Sequence, residues 1–261
     1  MPFVENQTSK SKTFFGIIAA IAAFGIAKAI TSGGISAIFH PRMTEVSFDA
    51  SVKEEPHFGK LYVALQNDFP DDYNEFRSTA VEKINSGGNV QEATEFGRSY
   101  MANFVKSHMK DVAKAPNHLI EDFRRTQTTL IEVLAQESST MCAHFFMSGL
   151  QQGDMPSEAA KPAMADAAYA VIKAAAGGIR TPVSRDAANL SDADAVAFVD
   201  ALRREGVTGD QLNAFSNPAL MAARSDDDQC TVGRAVYRSL DRLPDQQSVR
   251  VTAVLAGGSG T

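Results

Sequence analysis

The sequence predicts an all-α protein with an N-terminal membrane-directing helix, and three observations predict it. Lys10 and Lys12 precede an uncharged apolar run. From His57 onward apolar residues recur at i, i+3 and i+4, the period of a helix with one buried face. Capping pairs and Gly or Pro residues punctuate those stripes. The expected architecture is a transmembrane or signal helix, a flexible stalk, then a helical bundle with a long antiparallel hairpin and a C-terminal short-helix part. The corresponding divisions are residues 1–30, 31–56, 57–178 and 179–261.

The run is uncharged from Phe14 to Ala27, Lys28 interrupts it, and Ala29 and Ile30 extend it. Its bulky residues include Phe14, Ile17, Ile18, Ile21, Phe24, Ile26 and Ile30. Phe14–Ile30 is 17 residues, the short end of what spans a bilayer as a helix. Lys28 near its end can snorkel to the interface. Ala19, Ala23 and Ala27 form a small-residue stripe that permits close helix approach. Two export readings follow. In one the segment stays as an anchor. In the other it is a cleaved signal peptide, with Ala27-Lys28-Ala29 as the A-x-A site and a secreted product. The positive-inside rule keeps the N-terminus in the cytoplasm and sends the body out, into the periplasm if the cell is Gram-negative.

Residues 1–30 hold three basic groups and one acidic group. The remainder therefore carries 25 − 3 = 22 basic and 31 − 1 = 30 acidic residues, a net of −8. An acidic body argues against a nucleic-acid partner, which needs a basic face. The expected partners are the membrane, through residues 14–30, and a protein.

Residues 31–56 contain Gly33, Gly34, Pro41 and Pro56 and read as a stalk with room for a short strand at Thr44–Phe48. Phe58, Leu61, Tyr62 and Leu65 then mark a helix that Pro70 stops. Asp72 with Glu75 is a capping-box pattern for the next helix, which Gly87-Gly88 ends. Asn89 with Glu92 opens a long helix carrying Phe96, Tyr100, Phe104 and Met109. Past Pro116 a second long helix, 117–149, carries Ile120, Phe123, Leu130, Leu134, Cys142, Phe145 and Phe146. Two such helices joined at Pro116 predict an antiparallel hairpin. An Ala-rich helix over 157–176 ends at Gly177-Gly178. Ser191 with Asp194 caps 192–205, and Thr208 with Gln211 caps 209–223. Asp226–Asp228 start a helix to Leu243, and a last helix runs from Asp245 to Leu255.

Motifs for chemistry are few. There is no phosphate loop and no G-x-S-x-G elbow. Two cysteines are too few for a four-thiolate zinc site. Cys142-x-His144 places two ligands on diverging helix faces. Asp192-Ala193-Asp194 starts like a calcium loop but has Ala197 where glycine is required. No cofactor, metal site or catalytic residue is therefore expected. The leading function is an exported, membrane-tethered helical protein acting through a protein partner or as part of a membrane complex. The alternative is a cell-envelope hydrolase or lyase whose carboxylates and histidines converge from distant helices. One covalent feature is expected: Cys142 and Cys230, each on an apolar stripe, form a disulfide in the oxidising compartment that export implies.

Overall fold

The computed structural model describes residues 42–87, 90–185 and 190–258, and among them there are twelve α-helices and no strand. They are α1 (Glu45–Lys53), α2 (Gly59–Asp68), α3 (Pro70–Asn85), α4 (Val90–Val112), α5 (Asn117–Glu137), α6 (Ser139–Met147), α7 (Lys161–Arg180), α8 (Asp192–Arg204), α9 (Gly209–Phe215), α10 (Pro218–Ala222), α11 (Asp226–Arg242) and α12 (Asp245–Gly258). A 3-10 turn, Glu158–Ala160, leads into α7. None of the described helices is long and apolar enough to cross a membrane. Phe14, Ile17, Ile18, Ile21, Phe24, Ile26 and Ile30 lie outside the described residues, as do 31–41 of the expected stalk.

Part of that stalk is structured. Thr44–Phe48 is not a strand: Thr44 N-caps α1 through a reciprocal box with Ser47. Phe48 and Val52, four residues apart, are both fully buried and dock α1 against α2 and α3. The pair was hidden because one turn of apolar spacing is a weak signal beside Pro41 and Pro56.

An aromatic cluster fills the space under α1. Phe76 of α3 stands 5.9 Å from Phe48, 5.8 Å from Tyr62, 5.8 Å from Phe96 and 5.0 Å from Tyr100, ring centre to ring centre. Such pairs add about 0.5–1.5 kcal/mol each beyond the area they bury. Pro70 follows the end of α2 at Asp68, as expected, and also starts α3, since the first helical position needs no N–H. The Asp72–Glu75 capping box does not form: Phe69 occupies the N-cap, and Asp71 and Asp72 sit in the first turn. The Asn89 cap of α4 lies outside the described residues.

The expected hairpin of long helices is altered in two ways. First, the segment 117–149 is two helices, because Ser138 adopts extended backbone (φ −163°, ψ 128°) and its hydroxyl caps α6 at Met141 N. Second, α4 and α5 do not pack on each other along their lengths; α7 packs on both. Eleven residues of α7 are buried, seven of them alanine. Gly177 and Gly178 do not end it, and the helix runs on to Arg180. A Cβ on Gly178 would lie 1.8 Å from the Asp111 carbonyl oxygen, so glycine here serves close approach of α7 to α4.

The remaining helices continue the same apolar core. α11 packs on α5, α6, α8 and α12, and α12 reaches α4. One cluster of buried residues extends from Phe48 to Ala256, across the expected division near 179. The caps at Ser191 and Thr208 form, the latter as a full box with Gln211. The helix expected over 209–223 breaks at Asn217, which caps α10 ahead of Pro218. The last helix continues through Gly257 and Gly258.

Candidate functional site: a stapled seam and its ion pairs

Both cysteines face the seam between α6 and α11. Their sulfurs stand 2.01 Å apart and their Cα atoms 5.2 Å apart, a disulfide. Cys142 is 0% exposed and Cys230 5%. The seam has a parallel register. Thr140 donates to Asp226 at 2.6 Å, Cys142 meets Cys230, and the Phe146 ring lies on Gly233, where a Cβ would come within 2.6 Å of it. Asp226 and Asp228 are thus engaged residues of a helix start; Asp228 accepts from Gln211 and pairs with Arg224.

Ion pairs brace the same region from α5. Glu132 accepts from both Arg234 and Arg238, at 2.7–3.1 Å. Arg124 reaches Asp241. Burial works against the Glu132 charge, but hydrogen bonds from the two guanidiniums outweigh it and hold the carboxyl below its ordinary range. Asp68 behaves alike: burial opposes its charge, and Lys173 and Arg180 of α7 prevail and lower its pKa. Asp194, the third residue of the calcium-loop-like segment, is 3% exposed and turned inward to a bidentate pair with Arg250 at 2.7 and 2.8 Å. The Arg250 hydrogen bond is the main cause of its depression to about 2.

Because its folded-state pKa is depressed, Asp194 contributes stability above the ordinary value near 3.8 and loses it as pH falls toward 2. Asp194→Asn is expected to lower stability at pH 7 by about 2 kcal/mol, the scale of a hydrogen bond to a charged group. In urea titrations the gap between wild type and variant should narrow at pH 3. A gap that stays constant or widens there would contradict the assignment.

The histidines do not converge. His144 points away from Cys142 to the 148–157 loop, its Nδ1 3.0 Å from both Asp154 carboxylate oxygens. Asp154 also accepts from Gln151 N at 2.6 Å, so the pair closes that loop. Among the described residues no hydroxyl or thiol hydrogen-bonds the outer nitrogen of His144. His108 lies between Phe69 and Phe104 with Nδ1 on Asp111 at 3.2 Å. No group of three or more His, Cys, Asp or Glu is placed to hold a metal among the described residues. Tyr73 donates to Asp49 at 2.6 Å, and Tyr100 donates to the Asp72 carbonyl. Burial is the main cause of the raised pKa of Tyr73, Tyr100 and Tyr237. Among adjacent arginines, Arg125 and Arg203 bridge to acids three residues back, whereas Arg124 crosses to another helix.

Chemically, the carboxylates of Asp68, Glu132 and Asp194, the last of them buried and the other two partly so, are latches kept ionised by cations, each tying two helices together. Sequence reading missed all three, because partners such as Glu132 and Arg238, 106 residues apart, leave no spacing signature. The disulfide and latches define a covalently stapled all-α body. Comparison with protein-family models, with curated proteins and with solved structures found no match for this chain.

Proposed function

We propose that this chain is an exported helical protein, held at the membrane by Phe14–Ile30 with its N-terminus in the cytoplasm, whose body works outside by binding a protein partner or as part of a membrane complex. The observation that carries the reading is the Cys142–Cys230 bond. Disulfides persist in oxidising compartments and are rare where glutathione and thioredoxin keep thiols reduced. The lysines before the apolar run give the direction of export. A binding role is favoured over hydrolysis because the carboxylates of Asp68, Glu132 and Asp194 are committed to cations that hold them unprotonated, whereas a general acid needs a raised pKa.

A reporter active only in the cytoplasm, fused after Thr261, is expected to be inactive. Strong cytoplasmic activity rejects the topology. Copurification from detergent-solubilised membranes then identifies the partner; a body that elutes alone and hydrolyses envelope substrates would overturn the binding role. Ala27-Lys28-Ala29 supports the second form of the reading, a cleaved and secreted product, which a mature N-terminus at Ile30 would establish.

A further inference from the structure

We infer that one particular end of the helical body, the end carrying Met43, Val46 and the 148–157 loop, faces the bilayer at short range. The inference rests on the membrane-anchor form of the proposed function.

The body begins earlier than the sequence pattern suggests. Met43 is clamped to the C-terminal turn of α3 from both sides: its N–H donates to Asn85 Oδ1 at 2.8 Å, and Asn85 Nδ2 donates to its carbonyl at 2.9 Å. The next residue caps α1, and α1 is locked by Phe48 and Val52. Only residues 31–42 therefore separate Ile30 from a fixed attachment point. Twelve residues extend no further than about 45 Å. The 26 residues of the sequence-based stalk would allow roughly twice that.

Helix directions then decide which parts share this end. α3 finishes at Asn85 and α4 begins at Val90, so the start of α4 lies at the Met43 end. α4 spans about 33 Å. Its far end meets the last turns of α7, where Gly178 touches Asp111 and Ala115. α7 packs along α4 with the C-termini together, so α7 starts at the Met43 end, and the loop before it lies there too. Among the described residues the two most exposed large apolar side chains are Met155 of that loop, at 83%, and Val46 of α1, at 80%. Both belong to the tethered end. The body's net charge of −8 leaves it repelled by anionic lipid, so the surface it faces by apolar contact is a zwitterionic one.

The test uses the full chain, disulfide intact, reconstituted in phosphatidylcholine vesicles carrying an acceptor-labelled lipid. A donor dye is placed on Ser86→Cys, at the tethered end, or on Lys114→Cys, at the far end of α4; both positions are exposed. The separation along α4 predicts energy transfer to lipid about twofold or more greater from position 86 than from 114. Equal transfer, or greater transfer from 114, in protein that floats with the vesicles overturns the orientation and leaves the anchor standing. Protein that stays in the soluble fraction overturns the anchor, and the orientation with it.

Discussion

Replacing Cys142 and Cys230 together with serine is expected to lower the stability of the body by about 4–5 kcal/mol in the chain-entropy model of a crosslink closing a loop of this length. The two residues are 88 apart in sequence, so the bond removes a large share of the freedom of the unfolded chain. The seam itself gives the native state good reason to accept the bond without distortion: the Thr140–Asp226 hydrogen bond and the Phe146–Gly233 contact set the same register on either side. The melting temperature should fall by on the order of 10–15 °C, taking the usual 2–4 °C per kcal/mol for a chain of this size. Reduction of the wild type should reproduce the shift. A variant within about 1 kcal/mol of wild type would place the stabilisation in the salt bridges and core instead.

Gly178→Ala is expected to destabilise by about 3 kcal/mol or more, although alanine is the better helix former by about 1 kcal/mol. The new methyl would lie 1.8 Å from the Asp111 oxygen and 2.7 Å from its carbon, both backbone atoms of α4 that move only if the helices part. Gly177→Ala is the control on the same turn. Its methyl would meet the Leu119 Cδ1 atom at 2.3 Å, the tip of a flexible side chain that can rotate away. That variant should stay within about 1 kcal/mol of wild type, with the gain in helix propensity offsetting part of the repacking. Urea denaturation of the two variants checks the contrast; equal effects would refute the close-approach account of α7.

These two sites also show what was legible in the sequence. Cys142 and Cys230 were readable because each sits on an apolar stripe and the count is even, so the pairing needed only the helical period and the compartment. Gly177-Gly178 was misread for a physical reason. A glycine that ends a helix and one that admits a neighbouring backbone look the same in one dimension, and the Asp111 contact that separates them lies 67 residues away. The long helices were visible as stripes of Phe, Met and Leu, but the insertion of α7 between α4 and α5 was not, because an alanine-rich face carries little directional signal. The ion-pair latches were invisible for the same reason as the glycine contact. Lys173 and Asp68, or Arg250 and Asp194, meet only after the chain has folded.

Everything proposed for this chain depends on the body folding outside the cytoplasm with its two thiols joined. The most direct measurement is thiol alkylation of the full chain, trapped with acid in intact cells, denatured without reductant and weighed by mass spectrometry. No alkylation is expected before reduction and two alkyl groups after it, in the membrane fraction for the anchored form. Two alkyl groups without reduction, on protein recovered from its native compartment, would contradict it.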